Sequence, residues 1–140
     1  MKLRAHHLLC TQGFVGMGYS DAFTRNMADV VARMDAGEAI EVVDLCDDIC
    51  AACPHRKGTA CGASDHAEAD IQALDARARA QLGFAVGEVV DVSLIHRSLR
   101  QRPVAQKLPE ICVGCQWLSH GVCQQALQRL EGGLPVHGAV

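Results

Sequence analysis

The sequence predicts a small, single-domain, metal-centred fold that is mainly α with a minor short β element. Three observations predict it. Apolar residues recur at helical spacing across 20–36 and 64–82, while only 39–45 and 84–92 have strand-like composition. The motif C-x2-C-x7-C occurs twice, as Cys50, Cys53, Cys61 and as Cys112, Cys115, Cys123. Each copy is preceded by isoleucine, Ile49 and Ile111, and has a glycine shortly before its last cysteine, Gly58 and Gly121. Two cysteines at C-x-x-C spacing can bring both sulfurs to one ion or cluster, because a tight turn points the side chains the same way.

The chain of 140 residues suits one domain spanning 1–140, with 132–140 as a loose tail. At 49% hydrophobic and 4% aromatic, its core is built from Leu, Val, Ile, Ala and Met. The net charge of −3 argues against a dedicated nucleic-acid binder. Eight cysteines pose a choice between disulfides and metal. Met1-Lys2-Leu3-Arg4-Ala5 runs straight into His6 and His7, so no signal-peptide apolar run is present. No apolar run approaches the ~20 residues of a membrane span. The expected compartment is therefore the cytoplasm, where paired C-x-x-C motifs read as metal-binding.

Residues 3–10, Leu-Arg-Ala-His-His-Leu-Leu-Cys, form an apolar segment docked by Leu3, Leu8 and Leu9. His7 and Cys10 lie three apart and share a face on a helical turn, which suits ligands arriving from outside the two motifs. Gly13, Gly16 and Gly18 fail the context of a dinucleotide fingerprint and read as a loop allowing positive φ or close backbone approach. Ser20 caps a helix to about Ala36, closed by Gly37, with Phe23, Met27, Val30, Val31 and Met34 as its core stripe.

A short strand over 39–45 leads into Cys46-x3-Cys50-x2-Cys53. That spacing matches a radical-SAM cluster loop, but the chain is too short for the barrel and lacks its repeating strands and helices. Pro54 helps form a knuckle, and His55 reads as solvent-exposed. Ser64 opens a helix to Leu82 that stops at Gly83, with Ile71, Leu74, Ala78 and Leu82 on one face. Asp65, Glu68, Asp70, Asp75, Arg77 and Arg79 read as its solvated part. A second short strand falls within 84–92, and Asp91 or Ser93 caps a short helix through Leu99. The basic stretch from His96 to Lys107 has no interleaved aromatics to stack bases and reads as a solvated face and linker. Trp117 and Leu118 are placed to cover the second motif. Cys123 opens the last helix, where the positive dipole end favours thiolate.

Thiolate suits iron–sulfur clusters, zinc and Cu(I), and the usual sites want four ligands. Each motif supplies three. The candidate ligands are Cys10, Cys50, Cys53, Cys61, Cys112, Cys115 and Cys123, with Cys46, His7 and His6 as weaker ones. Three arrangements stay open. Cys46 completes the first motif and Cys10 the second; or Cys10 and one of His6 or His7 complete one site each; or one site draws on both motifs.

His6-His7-Leu8-Leu9-Cys10, Gly13-Phe14, Gly16-Met17-Gly18-Tyr19-Ser20, Asp47-Asp48-Ile49-Cys50 with Cys53-Pro54, and Ile111-Cys112 with Cys115, Trp117 and Cys123 resemble the small bacterial and archaeal family catalogued as domain of unknown function 1284. The resemblance covers about residues 3–125. It implies iron–sulfur binding without an established activity, and it favours Cys10 over Cys46 as a ligand.

The expected function is a soluble iron–sulfur protein with one or two clusters, passing electrons to a protein redox partner or sensing redox state. The alternatives are a structural zinc-binding interaction module and a thiol–disulfide protein using Cys50 and Cys53, which lacks the thioredoxin-like βαβ context. No catalytic residue is assigned, and neither nucleic acid nor membrane is an expected partner. An approximate two-fold between the motifs is expected to bring both to one side.

Overall fold

A computed structural model describes residues 1–16, 18–64, 67–113, 115 and 118–135. In chain order the elements are β1 (Lys2–Arg4), α1 (Ala5–Cys10), α2 (Asp21–Asp35), β2 (Ile40–Val43), β3 (Arg56–Lys57), β4 (Ala60–Cys61), α3 (Ala67–Leu82), β5 (Val89–Val90), α4 (Val92–Gln101), α5 (Leu108–Ile111) and α6 (Val122–Glu131). Short 3-10 turns at Thr11–Gly13, Cys50–Ala52, Ala105–Lys107 and Leu118–His120 join them. The fold is mainly α with a small β component, as the periodicities predict.

The helix starts follow their caps. Ser20 Oγ accepts from the Phe23 amide at 3.1 Å and opens α2, whose Phe23, Met27, Val30, Val31 and Met34 are all buried. Asp91, not Ser93, caps α4, accepting from the Leu94 amide at 2.9 Å. Gly37 takes φ +92° beyond α2, a conformation open to glycine at little cost.

The N-terminal segment differs from expectation. Lys2–Arg4 is a strand, not merely a docked segment. It runs parallel to β2, pairing Leu3 with Val42, and β2 pairs antiparallel with β5. Three residues are too few to show a period, so only the long-range pairing identifies β1. The other edge of β1 meets the loop after β2. Asp48 Oδ2 accepts from the Lys2 amide at 2.9 Å, Asp47 Oδ2 from the Arg4 amide at 2.6 Å, and the Asp48 amide donates to the Lys2 carbonyl at 3.1 Å. Those bonds satisfy an otherwise open strand edge and fix the chain entering Cys50.

One core runs through the molecule. Leu3, Leu8 and Ile40 meet Ile95, Leu108 and Leu127, each completely buried. Helix α1 lies against α3, and the turn after α1 lies against α6. The helix α3 corrects the expected solvated face. Asp75 is fully buried, and so is its partner Arg4, 1% exposed. Arg4 Nε donates to Asp75 Oδ2 at 2.7 Å, and its other nitrogens bind both oxygens of Glu68 at 2.9 and 3.1 Å. A buried charge persists only when paired, and here the pairing is bidentate on one side. His55 is also not fully exposed: it is half-buried, edge-on to Tyr19 at 5.1 Å between ring centres. Asp65, Trp117 and residues 136–140 lie outside the described residues, so the cover expected of Trp117 and most of the expected tail do too. Leu134 bonds back to the Arg129 carbonyl at 2.8 Å.

Candidate metal and ligand site

The two C-x-x-C motifs build the same local turn. The Cys53 amide donates to the Cys50 carbonyl at 3.0 Å and the Cys115 amide to the Cys112 carbonyl at 2.9 Å. Such turns leave both side chains on one side. The third cysteines differ. Cys61 ends a two-residue hairpin, β3–β4, while Cys123 sits in the first turn of α6. Equal spacing is reached through a hairpin in one copy and a helix start in the other.

Tertiary packing sorts the eight cysteines, all free thiols, into two sets. In the first, burial pushes the Cys10 thiol well above its ordinary value, and the neighbouring sulfurs of Cys123, Cys115 and Cys112 push it further. Burial, then Cys115 and Cys123, raise Cys112 to about 12; burial, then Cys115, raises Cys123 to about 11. Desolvation acts at Cys123 against the thiolate that a helix-terminus dipole favours. In the second set, Cys50 is raised by burial, then Asp47, with Cys46 adding to it, and Cys53 is raised by burial, with Cys61 and Cys46 adding. The grouping is Cys10 with Cys112, Cys115 and Cys123, and Cys46 with Cys50, Cys53 and Cys61. Cys46 stands near Cys50 and Cys53 of the first motif.

Three separate segments meet at the first set: the end of α1, the 112–115 turn and the start of α6. Gly13 makes that meeting possible. A Cβ there would stand 2.6 Å from Cys123 Cα and 2.8 Å from its sulfur. The close approach offered by a glycine loop is used here rather than at a ligand backbone. Thiolate donors suit a soft cation. Among the described residues, no three of these sulfurs lie within 4.8 Å of one another.

The sulfurs border a cavity of about 500 Å³, lined by Cys10, Cys61, Cys112, Cys115 and Cys123 together with His6 and His7. Both motifs therefore contribute to one side of the molecule. The remaining lining is largely apolar, including Leu9, Phe23, Met27, Ile49, Ile71 and Leu118.

The two histidines stand between the sets, ring centres 4.1 Å apart. His6 Nδ1 is 2.6 Å from Asp75 Oδ1 and His7 Nδ1 is 2.6 Å from Asp47 Oδ2. An ionised carboxylate only accepts, so each ring donates from Nδ1. Burial, then His7, lowers His6 to about 4, so His6 is neutral at pH 7. Burial acts to raise Asp47, but the His7 imidazole and bonds from the His7 ring and the Arg4 and Cys50 amides hold it well below the usual carboxylate range.

Ligand atoms of His7, Asp47 and Cys50 also fall within 4.8 Å of one another. Asp47 is already committed: its two oxygens accept from the Arg4, Ile49 and Cys50 amides and from His7. It orients His7 rather than offering itself to an ion. Sequence reasoning treated neither Asp47 nor Asp75 as part of a site. The available signal was a carboxylate next to Cys46, and it gave no partner.

The model of the family described as Protein of unknown function (DUF1284) matches residues 18–121. The chain belongs to that family. The matched stretch of this DUF1284 protein contains both C-x-x-C pairs and leaves His6, His7, Cys10 and Cys123 outside it. Neither the curated proteins nor the solved structures contain a match.

Proposed function

We propose that this DUF1284 protein is an iron–sulfur protein that carries electrons or senses redox state. The Cys10, Cys112, Cys115 and Cys123 set holds one cluster, and the Cys46, Cys50, Cys53 and Cys61 set holds a second metal centre. The observation that carries the reading is that Cys10 from the end of α1, Cys112 and Cys115 from their turn and Cys123 from the start of α6 all line one mostly apolar cavity. Soft thiolates match iron–sulfur chemistry, and burial tunes the potential of such a centre. A bound cluster supplies one-electron transfer. The protein's part is to hold four thiolates, exclude water with Leu9, Ile71 and Leu118, and keep buried charge paired nearby.

A structural zinc ion is the second reading for the Cys46 set. Its Cys50–Cys53 turn and β3–β4 hairpin have little core of their own, with Arg56 and Lys57 exposed and Ala60 and Cys61 half-buried. A small hairpin of that kind gains stability from metal.

Anaerobic purification followed by visible absorption and analysis of iron, acid-labile sulfide and zinc separates the readings. Broad visible absorption with iron and sulfide is expected. A colourless protein containing only zinc after strictly anaerobic handling would overturn the iron–sulfur proposal.

A further inference from the structure

We propose that the cavity beside the cysteine sets is a binding site for a small, mainly apolar molecule bearing an O–H or N–H donor, recognised by Nε2 of His6. The proposal does not depend on which metal the cysteines hold.

Three observations carry it. The first is the cavity: at about 500 Å³ it lies within the roughly 300–1,000 Å³ of small-molecule sites. The second is its mouth. Val15, Tyr19 and Val113 line the cavity and are 64%, 41% and 65% exposed. Large apolar side chains exposed around an apolar recess are expected where an apolar molecule enters.

The third is the pair of imidazoles. His6 is 8% exposed as a residue and its side chain 10%; the His7 side chain is 13% exposed. Each ring is clamped through Nδ1 by a buried carboxylate behind it. Both histidines line the cavity, and among the described residues Nε2 makes no hydrogen bond in either ring. In the neutral His6 ring, with the proton on Nδ1, Nε2 is an acceptor. A fixed acceptor facing a mostly apolar cavity is hydrogen-bonding capacity that a donor-bearing ligand uses. Polar groups so placed give selectivity, because an analogue lacking the donor leaves them unpaired.

The other charged groups facing the cavity do not fill this role. Arg77 is a donor already bonded through Nε to the Ile111 carbonyl at 2.9 Å, and Asp70 is exposed at the rim.

The test uses a matched pair of probes on the full chain as purified with its metal: phenol, which has an O–H donor, and anisole, which has nearly the same apolar body without it. Affinities come from calorimetry, and hydrogen bonding is read from the 15N shifts of the histidine ring nitrogens. The expected result is phenol binding about tenfold more tightly than anisole, with Nε2 of His6 shifted by phenol alone. His6→Ala is expected to abolish that preference with the metal content unchanged. Equal affinities for the two probes, or binding of neither, would overturn the proposal in the unaltered protein. So would a phenol preference that survives His6→Ala, or loss of metal in that variant, which would make His6 a ligand. A zinc-only protein that still prefers phenol would refute the iron–sulfur reading and leave the ligand site standing.

Discussion

Arg4 and Asp75 show how one residue can decide more than its neighbours suggest. Both are buried, and each satisfies the other. Asp75→Ala leaves the Arg4 guanidinium with one partner, Glu68, and is expected to cost about 3–5 kcal/mol in denaturant unfolding. Glu68 is itself held down to about 2 by the Arg4 hydrogen bond. His6 acts in the same direction with pH. Its folded value of about 4 lies below the ordinary 6.5, so the unfolded chain binds the proton more readily. Stability from His6 is therefore present above pH 6.5 and falls away between pH 6.5 and 4. That from Glu68 falls away as pH drops from 4.5 towards 2. Urea midpoints measured from pH 7 to 4 should decline, and His6→Asn should flatten that decline. Gly13→Ala drives a methyl group into Cys123 and is expected to cost about 1–3 kcal/mol, with reduced metal at the Cys10 set.

Among elements, the long helices follow local rules most closely. Ser20→Ala removes the acceptor for the Phe23 amide and should lower stability by about 1 kcal/mol, measured from the thermal midpoint. The stripe of α2 was legible because 15 residues give four turns of evidence. In α3, the same periodic reading placed Asp75 with the solvated residues, because a charged side chain carries no mark of a distant partner. That partner lies 71 residues away, in a strand of three residues. Cys61 and Cys123 share a spacing but not a local structure, for a related reason. Spacing fixes the chain length between ligands, while a hairpin or a helix start is chosen by the flanking residues and their packing.

At the scale of the molecule, the two cysteine sets share a cavity side but draw on different parts of the chain. If the sets are separate centres, Cys10→Ser and Cys46→Ser should each reduce metal per chain, with additive loss in the double variant. Elemental analysis of the three proteins checks this. A single shared centre would give the same loss in all three. The described residues contain no helix long and apolar enough to cross a membrane.

The sequence by itself determined the cysteine repeat, the long helices, their caps and the dominance of α structure, because each is written in local spacing and local chemistry. The family was legible too, in short motifs that need no fold to be seen. Only the tertiary structure decided which thiols neighbour one another, that Lys2–Arg4 is a strand, and that Asp47 and Asp75 clamp the two histidines. The approach of Cys10 to Cys123 and of the histidines to their carboxylates joins residues about 40 to 113 positions apart. Burial sets their energetics, raising the thiols, lowering His6 and requiring Arg4 to be paired, and burial exists only once the chain has closed on itself.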